Sequence, residues 1–290
     1  MNAKTIGVLA ILGASIMWAI EPIFGKLSYS NSDFLHTSAI RAFFVVIIAM
    51  AYVFITNKGN FKVNRKQFST MVYVAIVGTV FADLIYFYAF TKIPVVNAVL
   101  IGHMQPIFIV LIGFFILKED KLTKFDYFGI LLMIIAGLVI TTRTLENLYM
   151  LKLGTYGDFL VLLATIAWAT TTIAMRKYLK DMNAGVVVFY RFLIASLIFV
   201  AYLSYASSVT VSNTYQVLVG IIVGIGTILY YEGLKKLKAA QVGALELSTP
   251  FFAAILSFFI LGEVTTFMQV IGMVLLFIGI YFLSKHEDCV

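Results

Sequence analysis

The chain alternates long apolar stretches with short polar connectors over its whole length. A helix rising 1.5 Å per residue needs about 20 residues to cross a hydrocarbon core about 30 Å thick. Stretches of that length fall near residues 5–27, 34–56, 67–91, 94–117, 123–142, 155–178, 184–205, 213–234, 238–261 and 265–284. The pattern predicts ten membrane-spanning helices. The longest connectors, 57–66 and 143–154, are too small to fold alone.

Several spans carry a stripe of polar or small residues. Ser15, Trp18, Glu21-Pro22 and Gly25 recur every three or four residues and so share one face of the first span. The ninth span repeats the arrangement with Gly243, Glu246, Thr249-Pro250, Ala253 and Ser257. The eighth has Gly220, Gly224, Thr227 and Tyr231, a stripe best read as close helix contact. Pro22, Pro106 and Pro250 each remove one backbone hydrogen bond and free a carbonyl.

Composition agrees with a membrane solvent. Of 290 residues 62% are hydrophobic and 12% charged, and the mean hydropathy is +1.01. A soluble domain carries about 25% charged residues, so this chain lacks the charge to cover a water-facing surface. The first apolar segment has no small-residue cleavage site before a polar domain and reads as a retained span. Cys289 is the single cysteine, which excludes an intrachain disulfide and a cysteine metal cluster.

Charge placement sets an expected orientation. Lys26, Lys92, Arg143 and Lys152 fall in connectors on one side, and Arg41 and Arg191 within spans. The remaining fifteen of the 21 basic residues lie on the side of the amino terminus. The positive-inside rule then puts both termini in the cytoplasm. The net charge of +7 answers to topology and anionic lipid headgroups, not to nucleic acid.

The two halves of the sequence align. Trp18, Lys26 and Arg41 fall opposite Trp168, Arg176 and Arg191. Further along, Tyr86 falls opposite Tyr230, Pro106 opposite Pro250, Phe114-Phe115-Ile116-Leu117 opposite Phe258-Phe259-Ile260-Leu261, and Glu119 opposite Glu263. Residues 1–146 and 147–290 thus read as two five-helix repeats of one membrane domain. Five is odd, so the second repeat must thread the bilayer in the opposite sense. Inverted repeats of this kind build mid-membrane sites in secondary transporters.

On these residues the chain resembles the EamA-type members of the drug/metabolite transporter superfamily. The resemblance rests on Trp18 with Lys26 behind it, Arg41-Ala-Phe, and Phe115-Ile-Leu-Lys-Glu119 in the first half. In the second half it rests on Trp168, Arg191-Phe, Tyr230-Tyr-Glu-Gly-Leu, Ser248-Thr-Pro250 and Phe259-Ile-Leu-Gly-Glu263. It covers essentially the whole chain. It implies ten helices in a five-plus-five inverted repeat, a central cavity, and export of amino acids or other small metabolites. The chain departs from the commonest family pattern at Glu21-Pro22, where small or hydroxyl residues usually follow the tryptophan; the second half keeps Thr171-Thr172 there.

Ionisable groups inside a bilayer are costly and usually face the bundle interior. Candidates for the cavity are Trp18, Glu21, Arg41, Asp83, Tyr86, His103, Trp168, Arg191, Tyr230, Glu246 and Thr249. Glu246, Glu21 and His103 are the candidates for proton coupling, with Glu246 ahead of Glu21 because an arginine lies near Glu21. Arg41 and Arg191 are read either as clamps on neighbouring helices, Arg41 through Glu21 or Asp83, or as binding residues. Counting residues from the span ends predicts two polar layers. Glu21, Arg41, Asp83 and His103 come out about 9–13 Å below one face, with Arg191 and Glu246 at similar depth from the other. Glu119 and Glu263, at helix ends beside loops, read as solvated or interfacial, and Glu232 as headgroup-level.

The chain has no His-Glu-x-x-His, no phosphate-binding glycine loop, no Gly-x-Ser-x-Gly and no acidic cluster for magnesium. An enzyme, a resident metal and a cofactor are therefore not expected. The expected partners are a small solute and the lipid bilayer, with no nucleic acid, and the chain acts as monomer or homodimer. The sequence favours an exporter of the cytoplasmic membrane working by alternating access. Within the same fold, an importer or a cationic drug exporter is the other reading; a membrane enzyme or a receptor for a lipid-soluble ligand is the reading of another class.

Overall fold

The computed structural model describes residues 3–112, 115, 124–152, 154–179, 181–206, 209–237, 242, 245–246 and 248–285. The first half contains α1 (Ala3–Ser28), α2 (Phe34–Asn57), α3 (Arg65–Tyr73), a π-helical segment (Val74–Asp83) and α4 (Leu84–Ala89). It continues with α5 (Val95–Gly102), α6 (Gln105–Ile112), α7 (Lys124–Thr142) and the short α8 (Leu145–Tyr149). The second half contains α9 (Tyr156–Tyr178), α10 (Ala184–Ala206), α11 (Thr214–Leu234), α12 (Ser248–Leu261) and α13 (Phe267–Lys285). Among the described residues seven stretches are long and apolar enough to cross a membrane, and Tyr127–Thr142, Ser248–Leu261 and Phe267–Phe282 are shorter apolar helices. The chain is an all-α, multi-pass membrane protein. The end of the fourth expected span, Gly243, Glu119 and Cys289 lie outside the described residues.

Local chemistry sets the helix starts. Asp33 caps α2 by accepting from the Leu35 and His36 amides. Asn64 and Gln67 form a reciprocal capping box at α3, and Thr155 and Asp158 do so at α9. Asn213 caps α11. Partial burial opposes ionisation of Asp33, but hydrogen bonds from the His36 amide and ring, the His36 charge, and the Leu35 amide outweigh it. They hold the carboxyl below its usual range.

Two spans depart from a uniform α-helix. The third runs as α3, the π-helical segment and α4 in one rod, Arg65–Ala89. The fourth breaks at His103–Met104, between α5 and α6. Pro106 explains the break: it has no amide hydrogen, and its ring crowds the carbonyl four residues back, on Gly102, the last residue of α5.

Packing interleaves the two halves. α1 lies on α11, and the α3–α4 rod lies on α9. α2 packs on α10 and α11, the π-helical segment also on α10, and α5 and α6 on α9. α12 packs on α1 and α5, and α7 on α13. The glycine stripe of α11 makes the expected helix contact. A Cβ on Gly220 would meet Phe44 and lie 2.8 Å from the Arg41 carbonyl oxygen, and one on Gly224 would lie 3.0 Å from Ile48.

One face of the bundle gathers the amino terminus, where Gly7 packs on Leu237, and the contact of Asn183 Nδ2 donating to Thr56 Oγ1 at 3.1 Å. On the opposite face Asn31 Nδ2 donates to the Ser212 carbonyl at 3.0 Å and Asn213 Nδ2 to that of Ser28 at 2.8 Å. Near that face a buried network joins three helices: Asn97 donates to Asp158 at 2.8 Å and accepts from Gln269. Its members satisfy each other's polar groups, without which burial would be costly.

Candidate functional site

The end of the π-helical segment carries Asp83 into the middle of the bundle. Arg41, 1% exposed, donates from Nη1 to Glu21 Oε1 and from Nη2 to Asp83 Oδ2, each at 2.8 Å. Its guanidinium sits 4.4 Å from the centre of the Phe87 ring. Asp83 Oδ1 accepts from Trp168 Nε1 at 2.8 Å and lies 3.6 Å from Arg191 Nη2. Arg191 donates from Nε to Thr79 Oγ1 at 2.7 Å, and its Nη1 is 3.5 Å from the Tyr231 hydroxyl. Glu21, Arg41, Asp83 and Arg191 thus alternate in sign across both halves, and pairing offsets the desolvation of each charge.

Two aromatic pairs flank this chain of charges. The rings of Trp18 and Tyr230 are 4.8 Å apart at 52°, and those of Tyr86 and Trp168 are 4.9 Å apart at 70°. Each pair joins one half to the other. His103, at the break in the fourth span, has Nδ1 2.8 Å from the Val99 carbonyl and hydrogen-bonds the backbone of Glu246. Thr249 Oγ1 is buried with no hydrogen-bond partner among the described residues.

These groups surround a cavity of about 290 Å³, and all eleven residues singled out from the sequence line it. The two expected polar layers do not exist: Arg191 and Asp83 meet in a single cluster. Depth counted along a helix axis leaves out the reach of the arginine side chain, several ångströms, which bridges the difference. Arg41 bonds to both Glu21 and Asp83. Thr79 and Met175 were not anticipated, because neither is ionisable and no spacing rule links them to Arg191.

A second cavity of about 420 Å³ adjoins the first and shares Thr172, Met175, Tyr230 and Tyr231 with it. It extends past Leu179, Asp181, Lys235 and Leu237 to the face that bears the amino terminus. On the opposite face Glu263 joins α1 to the start of α5. Lys26 Nζ lies 2.6 Å from Glu263 Oε1, and the Val95 amide donates to Glu263 Oε2 at 2.8 Å. Of the two readings of Glu263, the solvated one does not hold: its side chain is 13% exposed, pairs with α1 and accepts from the first amide of α5. Nearby the Tyr29 hydroxyl donates to the Phe87 carbonyl at 2.7 Å, and burial pushes its phenol above the usual range. Glu232 pairs with Lys235 at 2.9 Å.

Comparison with known proteins gives the same picture. An uncharacterized transporter of Methanothermobacter thermautotrophicus is 26% identical, with 96% of this chain and 85% of that protein aligned. One from Archaeoglobus fulgidus is 23% identical over 99% of both chains. The uncharacterized transporter YyaM of Bacillus subtilis is 25% identical over 84% of this chain and 82% of its own. A solved crystal structure shares the fold, with a TM-score of 0.67 at 19% identity over 98% of this chain and 97% of the other. The EamA-like transporter family matches twice, over residues 5–142 and 155–285. The chain belongs to the EamA-like transporter family of the drug/metabolite transporter superfamily, and is a membrane transporter of small solutes.

Proposed function

We propose that this protein is a secondary exporter of amino acids or related small metabolites that works by alternating access. The observation that carries the reading is a charged central cavity that adjoins a vestibule at one face; we read the Lys26–Glu263–Val95 contact at the other face as its closure. Two five-helix halves, 1–146 and 147–290, of opposite sense form the moving parts. The double family match and the reciprocal pairing of α1 with α11 and the α3–α4 rod with α9 support that division. The vestibule face is cytoplasmic, as the excess of lysine and arginine on that side supports, and the membrane is the cell membrane.

A solute with both signs of charge suits a cavity that contains arginine and carboxylate groups. Glu21 is already neutralised by Arg41 at 2.8 Å, which weakens the case for a cationic drug. Glu246 lines the same cavity, and is the coupling residue for protons.

Reconstitution into liposomes tests the proposal. Labelled neutral amino acids should exchange against internal unlabelled solute, and an imposed proton gradient should drive net movement. Glu246→Gln should keep exchange but lose its dependence on pH. Wild-type pH dependence in that variant removes Glu246 from the mechanism, and transformation of the solute without exchange removes the transporter reading.

A further inference from the structure

The repeat places each half's arginine in an equivalent setting, and the two settings differ in one respect. Register sets Arg191 opposite Arg41, Thr171 opposite Glu21, Thr227 opposite Asp83 and Tyr231 opposite Phe87. In the first half a guanidinium over a phenyl ring is gripped by two carboxylates. In the second half both carboxylate positions are threonines, and the ring has gained a hydroxyl.

We infer that Arg191 and Tyr231 anchor a carboxylate brought by the transported solute, in the role that Glu21 and Asp83 play for Arg41. The anchor rests on the transport reading above. Arg191 Nη2 lies 3.6 Å from Asp83, a loose contact, and Asp83 already serves Arg41 and Trp168 at 2.8 Å. The Tyr231 hydroxyl points at the sulfur of Met175 at 2.7 Å, a weak acceptor that a carboxylate oxygen displaces with gain.

Position and charge fit the same role. Tyr231 lines both the central cavity and the vestibule, and Arg191 lines the former. The Arg191 side chain is 12% exposed where that of Arg41 is 1%. Glu21, Asp83 and Glu246 already face two arginines in the cavity, so a monoanionic carboxylate meets less repulsion there than a dianionic phosphate.

The test uses the purified full-length protein in detergent at constant ionic strength. Its thermal unfolding is followed with acetate, propionate or alanine and with the corresponding amides. The carboxylates should raise the midpoint and the amides should not, since only a ligand bound to the folded state stabilises it. Tyr231→Phe, which restores the first half's ring, should weaken binding about tenfold, the size of a hydrogen bond to a charged group. Thr227→Asp, which gives Arg191 its own acid, should abolish the response. Equal shifts from amides, no shift from any carboxylate, or an undiminished response in both variants overturns the anchor. Labelled alanine exchange in liposomes separates the two readings. Carboxylate binding without exchange sinks the transporter and leaves the anchor; exchange that ignores the loss of the carboxylate does the reverse.

Discussion

Trp168 Nε1 donates to Asp83 Oδ1 at 2.8 Å, joining the start of the second half to the third span of the first. The same carboxylate takes Arg41 on its other oxygen, so Asp83 holds a tryptophan that lines the cavity and a buried cation at once.

Asp83→Asn should therefore be severe despite its small change in shape. The amide still accepts from Trp168, but Arg41 is left buried with Glu21 alone. Removing one partner of a buried pair costs about 3–5 kcal/mol, and solute exchange should fall at least tenfold. Trp168→Phe removes a hydrogen bond to a charged group and trims the ring that packs on Tyr86, and should cost less, about 2 kcal/mol. Thermal unfolding with a parallel exchange assay checks the order; equal losses for the two variants would contradict it.

Glu263→Ala should loosen the proposed closure. Lys26 loses its partner and the Val95 amide its acceptor. A single cysteine placed at Leu27, in a Cys289→Ser background, should then react faster with a membrane-impermeant thiol reagent added to the Leu27 side. Unchanged labelling would mean that the contact is not part of the closure.

Glycine substitutions should divide by location. At Gly220 an added methyl collides with Phe44 and the Arg41 backbone, and Gly220→Ala should cost about 1–3 kcal/mol. At Gly102 the nearest atom is 3.8 Å away, on Trp168, so Gly102→Ala should fold with nearly wild-type stability. Unfolding midpoints of the two variants decide.

Asp33 predicts an acid limb in stability. Its folded-state carboxyl titrates below its unfolded value, so its contribution is complete above the unfolded pKa. It is lost as pH falls through the folded one. The unfolding midpoint should drop below about pH 4, and Asp33→Ala should flatten that limb while costing about 1 kcal/mol at neutral pH. An acid limb equal in the variant would assign it to other groups.

The hydrophobic runs alone marked out the spans, because a bilayer forces every crossing segment to be long and apolar. The arginine and acid positions were legible for a related reason: charges are costly in lipid, so each marks the interior. The aromatic positions were legible instead from the match of Trp18 with Trp168 and of Tyr86 with Tyr230. What the sequence concealed is partnership. Nothing in the spacing tells that Asn97, Asp158 and Gln269 meet, that Glu263 reaches back to α1, or that Asp83 serves two arginines, since each contact joins positions far apart in the chain. The π-helical stretch was equally hidden, its residues being as apolar as those of an ordinary span.

That wider coil has a consequence for how the gene tolerates change. With the wide coil kept, deleting one residue between Val74 and Asp83 would turn everything beyond it by roughly a quarter of a turn. The acid would then face hydrocarbon, and both cations would lose it. An insertion or deletion in this short window should be harsher than any point replacement within it.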